Sequence, residues 1–182
     1  MIELPVDDDL VLRQVGEDDA EELFALIECD RDYLGRWLPW VAATTTVDDE
    51  REFVRFSLRQ WDSRAQLDLC VVTDGRVVGC AGLVNDPAAR TAQIGYWIAQ
   101  DAQGHGHATR AARTLERFAA DELGCVRIEI HVATTNAPSR AVAERLGYVL
   151  EEIRPQGLVA GTDARIEDLA VYAWERGRPG SR

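Results

Sequence analysis

The amino-acid sequence predicts a mixed α/β domain, in which one central sheet carries helices on both of its faces. Three observations support this class: predicted strands outnumber predicted helices, a strand-helix-strand order occurs only in the middle of the chain, and a tight turn joins two antiparallel strands. Neither an internal repeat nor a linker interrupts the chain before its last residues. We therefore expect one domain over residues 1–175 and a flexible tail over 176–182.

The first half of the chain predicts a strand, two helices and a hairpin. Apolar residues that recur every three to four positions indicate the helices. Asp74-Gly75 suits the positive φ angles of a two-residue hairpin turn, and Pro39 should interrupt the aromatic segment that connects the helices. In order, the predicted elements are a strand at 10–15, helices at 19–29 and 47–61, and hairpin strands at 67–73 and 76–83.

The second half of the chain predicts four strands and two helices. Small and apolar side chains at helical spacing indicate a first helix that Gly124 can cap. Pro138 suits the first turn of the second helix, and Gly147 is placed where that helix should end. In order, the predicted elements are a strand at 92–99, a helix at 108–123, a strand at 126–133, the helix from Pro138 to Gly147, and strands at 148–153 and 168–174.

The composition excludes several classes of enzyme. All twenty cationic residues are arginine, so Schiff-base chemistry, attachment of pyridoxal phosphate and a lysine-bearing phosphate loop are ruled out. The four cysteines have spacings that match neither a zinc site nor a CxxC redox motif, and we expect buried thiols in a reducing compartment. The sequence therefore predicts no metal centre.

The charge distribution indicates which classes of molecule the protein is expected to bind. The formal net charge is −12, and most of the acidic excess lies in the first thirty residues. A chain with this balance is poorly suited to hold a polyanion over a broad face, so we expect basic or amine-bearing partners and no direct contact with nucleic acid. No apolar run approaches the roughly 18 residues of a membrane span, and the first nine residues are acidic, so we expect a cytoplasmic protein.

The most informative segment is Gln103-Gly104-His105-Gly106-His107-Ala108, which follows a predicted strand and precedes a predicted helix. Glycines allow the backbone to turn sharply and approach a ligand, and the N-terminus of a helix presents free N–H groups to phosphate. The segment is not a dinucleotide fingerprint, because Thr109 occupies the position of the third glycine. From the turn alone, a phosphate site and an ordinary helix entry remain equally open.

Several motifs together resemble the acetyl-coenzyme A core of the GNAT N-acetyltransferase superfamily. The likeness is carried in order by Ile94-Gly95-Tyr96-Trp97-Ile98, the glycine segment at 103–108, Asn136-Ala137-Pro138-Ser139-Arg140 and Glu144-Arg145-Leu146-Gly147-Tyr148. Leu34-Gly35-Arg36-Trp37-Leu38 narrows the resemblance to the Rim-type branch, the ribosomal-protein N-terminal acetyltransferases and their relatives. This resemblance implies a mostly antiparallel sheet of six to seven strands that is splayed in the middle.

The resemblance also implies how the coenzyme would be held. Backbone N–H groups of the glycine turn would bind the pyrophosphate of acetyl-coenzyme A, which requires no lysine. The turn comprises Gln103, Gly104, His105, Gly106, His107, Ala108 and Thr109. Main-chain groups of Trp97, Ile98 and Ala99 would pair with the pantetheine amides as an added strand does. Asn136 matches a residue that bonds the pantetheine arm in this branch, although a helix-capping role is an equal alternative.

For catalysis, the family chemistry is direct attack of an amine on the acetyl thioester, which requires a base and an acid. Ala143 occupies the position of the usual tyrosine acid, so the resemblance assigns the acid role to Ser139, whose alternative is an ordinary first-turn helix residue. Asp168 and His131 are the candidate bases, and each could instead be a solvated or structurally satisfied group. A proton relayed through water would need no dedicated base.

The resemblance implies an enzyme that acetylates a primary amine, with a protein N-terminal amine as the expected acceptor. A small amine, an antibiotic, a longer acyl donor such as succinyl-coenzyme A and a catalytically idle coenzyme-binding module are the alternatives. Trp37 and Trp40 would line the amine pocket or else pack in the core. His105 and His107 could attract phosphate when protonated, or else are tolerated loop side chains. Homodimers are common in this branch.

Overall fold

The computed structural model describes residues 1–178, which form one eight-stranded sheet and five α-helices. The strands are β1 (Glu3–Pro5), β2 (Leu10–Gln14), β3 (Gln66–Thr73), β4 (Arg76–Asp86), β5 (Thr91–Ile98), β6 (Arg127–Ala133), β7 (Val149–Ala160) and β8 (Arg165–Glu175). The helices are α1 (Ala20–Cys29), α2 (Arg31–Leu34), α3 (Val47–Asp62), α4 (His107–Asp121) and α5 (Ala137–Leu146). Over residues 1–178, no helix has both the length and the apolar character that crossing a bilayer requires.

The sheet has the strand order β1-β2-β3-β4-β5-β6-β8-β7, and each neighbouring pair is antiparallel except β5 and β6. This arrangement confirms the predicted mixed, mostly antiparallel sheet. The expected number of strands is lower than the observed number because β1 has only three residues, too few for an alternating pattern, and includes Pro5. Proline is tolerated there because β1 is an edge strand, where one side of the backbone needs no partner.

Local sequence signals explain where several elements begin and end. In the turn between β3 and β4, Asp74 and Gly75 have φ angles of 50° and 73°, as a primed hairpin turn requires. The helix α3 begins with a capping box, in which Thr46 Oγ1 accepts from the Asp49 N–H group at 3.2 Å and the Asp49 carboxylate accepts from the Thr46 N–H group at 2.8 Å. Gly147, with φ of 84°, ends α5 in the left-handed region.

Helices cover both faces of the sheet, as predicted. On one face α4 and α5 pack on the central strands, and the shared core includes Leu115, Val142 and Ile128. On the other face α1 and α3 enclose a smaller core that includes Leu23 and Val54. Of the four cysteines, Cys29 is exposed rather than buried because it ends α1 at the surface, whereas the remaining three are buried as expected: Cys70, Cys80 and Cys125.

The sheet is splayed between β5 and β6. These parallel strands pair only from Thr91 to Gln93 on β5, although β5 continues to Ile98. The strand β6 instead pairs with β8 along its whole length from Arg127 to Ala133. The second half of β5 consequently lacks a neighbouring strand on one side, and a gap opens in the middle of the sheet.

The end of the described chain is attached to the domain. The Arg176 N–H group donates to the Val126 carbonyl at 2.9 Å, and the Arg176 guanidinium lies 3.0 Å from the Asp121 carboxylate. The Arg178 guanidinium forms an ion pair with Glu151. Of the flexible tail expected over 176–182, residues 176–178 therefore make these contacts, and residues 179–182 lie outside the described residues.

Candidate active site

The gap in the sheet opens into a cavity of about 430 Å³, which we call the gap cavity. Its walls come from the segment after α2, from β5, from the start of α4, from β6 and from the start of α5. Most of the site residues predicted from the sequence line it, namely Trp37, Trp97, Ile98, Gln103, Gly104, Gly106, His107, Ala108, Thr109, His131, Asn136 and Ser139. Topology thus brings together residues that lie up to about one hundred positions apart in the sequence.

The glycine turn enters α4 in the geometry that anion binding requires. Gly104 and Gly106 have φ angles of 81° and 76°, which L-residues rarely adopt, and Gly106 is the N-cap of α4. A methyl group built on either glycine would have no atom within 4 Å, so the space above the turn is open. The first N–H groups of a helix have no partner within the helix, so those that follow Gly106 can bind a diphosphate there.

The free edge of β5 presents alternate main-chain groups to the gap. The Ala99 N–H group donates to the Val78 carbonyl on β4 at 2.8 Å, whereas the Ile98 carbonyl accepts from Gln103 Nε2 at 3.3 Å on the opposite side. Because these groups alternate along a strand, Tyr96 and Ile98 face the gap. Of the three residues expected to pair with pantetheine, Ile98 therefore has the suitable orientation, and the Ala99 N–H group is already engaged with β4.

The start of α5 brings two hydroxyl groups together. The Tyr96 hydroxyl lies 3.1 Å from Ser139 Oγ and donates to the Ser139 carbonyl at 3.2 Å. Burial raises the pKa of Tyr96 to about 12, so the phenol keeps its proton and can donate. No role for Tyr96 was predicted from the sequence. Its position could have been found from the alternation of β5, because Ile94, Tyr96 and Ile98 share a face and only Tyr96 carries a hydroxyl group.

Asn136 fills one of the two roles that the sequence left open, the helix cap. Its Oδ1 atom accepts from the Ser139 N–H group at 3.2 Å, so the side chain caps α5. Among the described residues none accepts a hydrogen bond from its Nδ2 group, and Asn136 lines the gap cavity. The amide can therefore cap the helix with its oxygen and donate to a ligand with its nitrogen.

The two candidate bases lie in different environments. His131 lines the gap cavity, and its Nε2 atom lies 2.6 Å from the Glu129 carboxylate. Asp168 is exposed and is not among the described residues that line the cavity; its carboxylate accepts from the Gln156 N–H group at 2.9 Å, where β7 bulges away from β8. Asp168 thus supports the hairpin, and the expectation that it acts as a base finds no support in this position.

The histidines of the glycine turn are stacked on each other, with ring centroids 5.6 Å apart. His107 is buried and its Nδ1 atom lies 2.9 Å from Arg110 Nη2. Burial lowers the pKa of His107, and the positive charge of Arg110 lowers it further. A neutral His107 adds no charge to a phosphate site, which favours the alternative in which backbone N–H groups supply the attraction. His105 does not appear among the described residues that line the cavity.

A second cavity of about 1040 Å³ lies beneath α3, and we call it the α3 cavity. The two cavities meet at Leu38, Gly95, Tyr96 and Trp97, which line both of them. Trp40 lines the α3 cavity and is 38% exposed, with its ring centroid 6.3 Å from that of Trp97. Trp37 and Trp40 therefore lie on cavity walls rather than in the core.

Comparison with known proteins connects this geometry to a family. A protein-family model for the acetyltransferase (GNAT) domain matches residues 9–149. YdaF of Bacillus subtilis (strain 168), which is provisionally named a ribosomal N-acetyltransferase, is 34% identical over 175 residues, with 95% of this chain and 94% of YdaF covered. The ribosomal-protein-serine acetyltransferase of Escherichia coli (strain K12) is 26% identical over 171 residues, which cover 93% of this chain and 94% of that protein.

A solved structure agrees with these relatives. The microcin C7 self-immunity acetyltransferase MccE, in complex with acetyl-CoA and AMP, superimposes with a TM-score of 0.88 at 26% identity, covering 93% of this chain and 94% of that chain. The resemblance inferred from the motifs is confirmed, including the narrower likeness to ribosomal-protein N-acetyltransferases. This chain belongs to the GNAT family of acetyltransferases.

Proposed function

We propose that this GNAT acetyltransferase transfers the acetyl group of acetyl-CoA to the N-terminal amine of a protein. The observation that carries the proposal is the gap cavity, in which the glycine turn, the free edge of β5 and the Ser139 hydroxyl line one continuous space. Both curated relatives are named for acetylation of ribosomal proteins. A ribosomal protein is therefore the acceptor class that we expect.

The proposed path of the coenzyme follows the walls of the gap cavity. Backbone N–H groups after Gly106 hold the diphosphate at the positive end of the α4 dipole. The pantetheine arm lies along β5, where main-chain groups of Tyr96 and Ile98 and the Asn136 amide can bond it. An N–H group on this edge would polarise the thioester carbonyl and stabilise the negative charge that develops on its oxygen.

We assign the acid role to Ser139, assisted by Tyr96. When the Tyr96 hydroxyl donates to Ser139 Oγ, the single proton of Ser139 is free to point toward the departing thiolate. His131 stays a candidate base because it lines the same cavity and contacts Glu129. Trp37 would form a wall of the acceptor entrance.

The proposal also includes the domain organisation, the location and the oligomeric state of the protein. We expect residues 1–175 to act as a single domain in the cytoplasm, where the proposed acceptor and acetyl-CoA both occur. We also expect a homodimer, because β7 forms an edge of the sheet and bears exposed apolar side chains. These are Val149, Leu150, Ile153 and Val159. Multi-angle light scattering of the purified protein would give the mass of a monomer if the expectation of a dimer is wrong.

The acceptor experiment uses a peptide with a free N-terminal serine, the same peptide with a blocked N-terminus, and a panel of small primary amines. With acetyl-CoA, mass spectrometry should detect one added acetyl group on the free N-terminus and none on the blocked peptide. Succinyl-CoA serves as the alternative donor. Acetylation of small amines alone would contradict the proposed acceptor, and no binding of acetyl-CoA at millimolar concentration in titration calorimetry would contradict transferase activity altogether.

A further inference from the structure

Two acidic side chains that were not among the site residues predicted from the sequence line the α3 cavity. Glu50, in the first turn of α3, is 3% exposed, and Asp68 on β3 lines the same cavity. Asp68 accepts a hydrogen bond from Gln66 Nε2 at 2.8 Å. In contrast, none of the described residues donates a hydrogen bond to the Glu50 carboxyl group, which lines the cavity. The Glu50 carboxyl group is therefore open to a hydrogen bond from water or from a ligand in the cavity.

The environment of this pair shifts the titration of Glu50 toward neutral pH. Burial raises the pKa of Glu50 to about 7, with a further contribution from the negative charge of Asp68. Burial also raises the pKa of Asp68, against hydrogen bonds from Ser57 and Gln66 that lower it. A carboxyl group with its pKa near the working pH is suited to accept a proton during a reaction and to release it afterwards.

The backbone leaves room in front of these carboxyl groups. A methyl group on Gly82 would lie 2.7 Å from Asp68 Oδ1, so that carboxylate rests directly over the glycine. A methyl group on Gly95 would meet no atom within 4 Å, which shows open space where β5 passes the pair. The rim is apolar, with Phe53 36% exposed and Phe56 43% exposed. A cavity with an acidic floor and an aromatic rim is suited to an ammonium group carried on an organic chain.

We propose that Glu50 and Asp68 bind the acceptor amine as its ammonium ion and that Glu50 removes the proton that prevents attack. The proposal rests on the proposed acetyltransferase function and identifies the residues that bind the acceptor amine. The geometry supports it because the α3 cavity meets the gap cavity at Gly95, Tyr96 and Trp97, where the thioester would end. Attack would then occur through the splayed region of the sheet, with the donor on one side and the acceptor on the other.

The proton balance of this reaction is complete. The ammonium ion gives one proton to the Glu50 carboxylate, and the neutral amine forms a C–N bond with the acetyl carbon. The C–S bond breaks, and the thiolate takes a proton from Ser139, which recovers it from the second proton of the attacking nitrogen. Glu50 releases its proton to solvent through the open side of the cavity, so that one acetyl group is transferred and one net proton is released.

Other charged groups around the α3 cavity also influence the pH dependence of the proposed reaction. Facing Glu50 are Asp68 on β3 and the Cys80 thiol on β4, whose pKa is raised by its contact with Cys70 and by burial. On α3 the charged residues that line the cavity are Asp49, Glu52, Arg55 and Arg59. The Asp49 carboxylate is occupied by the capping box, and Arg55 pairs with Glu17. Glu50 is therefore the carboxyl group in this cavity that is best placed to titrate with the reaction.

The test compares Glu50→Gln with Glu122→Gln, a matched change at an exposed position that lines neither cavity. The probe is the free-serine peptide, or the best small amine if no peptide reacts, and kcat/KM is measured from pH 6 to 9.5. At pH 7, Glu50→Gln should lower kcat/KM by about 100-fold. An N-terminal amine has a pKa near about 8, so at pH 9.5 the acceptor is already neutral and the deficit should shrink to a few-fold.

Three further measurements make the test decisive. Glu122→Gln should stay within about twofold of the wild type, and both variants should bind coenzyme A with unchanged affinity in calorimetry. Asp68→Asn should move the acidic limb of the profile to lower pH, because loss of the negative charge lowers the pKa of Glu50. This profile also decides the matter if Glu50→Gln folds poorly.

A Glu50→Gln enzyme with wild-type kcat/KM, or a deficit that is constant from pH 6 to 9.5, would overturn the proposal. An unchanged acidic limb in Asp68→Asn would do the same. Failure of the proposed function gives a different result: acetyl-CoA would not bind, or no amine in the panel would react with the wild-type enzyme. A wild type that acetylates only small amines corrects the acceptor class, and the same Glu50 comparison is then carried out with that amine.

Discussion

The Tyr96 and Ser139 hydroxyl groups illustrate how single side chains prepare the proposed site. Tyr96 is held by two contacts with Ser139, and its raised pKa of about 12 keeps the phenol protonated across the physiological range. Ser139 lies in the first turn of α5, where its backbone N–H group donates to the Asn136 side chain. The orientation of the proposed acid is thus determined by one strand and one helix cap at once.

Replacement of Ser139 by alanine should lower turnover by about ten- to a thousandfold, because the departing thiolate loses its proton donor. The affinity for acetyl-CoA should change little, since the diphosphate and pantetheine contacts come mostly from main-chain groups. Steady-state kinetics and calorimetry measure the two quantities. The control is Ser63→Ala, which removes an exposed hydroxyl at the end of α3. Unchanged turnover in Ser139→Ala would remove Ser139 from the mechanism.

The two roles of Asn136 can be separated by one pair of variants. Asn136→Asp keeps an oxygen that accepts from the Ser139 N–H group but loses the amide donor, whereas Asn136→Ala loses both. Asn136→Ala should therefore lower the free energy of unfolding by about 1 kcal/mol relative to Asn136→Asp. Both variants should weaken acetyl-CoA binding to a similar extent. Full affinity in Asn136→Asp would show that the residue is only a cap.

The glycine turn and α4 act together as an element, because the turn leads directly to the free N–H groups at the N-terminus of the helix. Gly104 and Gly124 have φ angles of 81° and 70°, and a methyl group on either would meet no protein atom within 4 Å. They differ in position, because Gly104 lines the gap cavity and Gly124 follows the far end of α4. The pair therefore separates backbone strain from ligand binding.

We expect Gly104→Ala and Gly124→Ala to lower the free energy of unfolding by similar amounts, about 1–2 kcal/mol, because both force alanine into the left-handed region. Only Gly104→Ala should weaken acetyl-CoA binding, by about tenfold, because its methyl group would occupy the open space above the turn. Thermal unfolding and calorimetry measure the two effects. Equal affinities in the two variants would argue against diphosphate binding at this turn.

Several elements were predictable because their signals are local. The Asp74-Gly75 turn and the end of α5 at Gly147 occur where the sequence placed them, since each depends on a few adjacent residues. The strands β7 and β8 extend well beyond the predicted 148–153 and 168–174. Their outer ends form a bulged and largely exposed hairpin, in which side-chain alternation is not imposed by a buried face.

The assembled sheet consists of two parts that are joined by the short β5–β6 pairing. From Ile94 onward, the α4 and α5 side of the core connects the two parts while the strands diverge. A ligand that pairs with β5 would act as the missing strand in this gap. Coenzyme binding should therefore have a local signature in the backbone.

Amide hydrogen exchange followed by NMR provides this measurement. Addition of coenzyme A should slow the exchange of the Tyr96 and Ile98 amides, because they face the gap and gain a partner. The Ala99 amide already donates to Val78, so its exchange should stay nearly constant and serves as an internal control. Uniform protection along β5 would indicate general stabilisation instead, and no protection at Tyr96 would place the pantetheine arm elsewhere.

The chain order of the motifs was enough to establish the family and to locate the glycine turn before α4, because these depend on short segments whose backbone conformation is encoded locally. The orientation of β5, the contact between Tyr96 and Ser139, and the placement of Glu50 and Asp68 on one cavity emerged only when the sheet was assembled. These arrangements involve residues on different strands and helices. Their formation depends on the packing of distant segments against a common core, which no local pattern in the chain records.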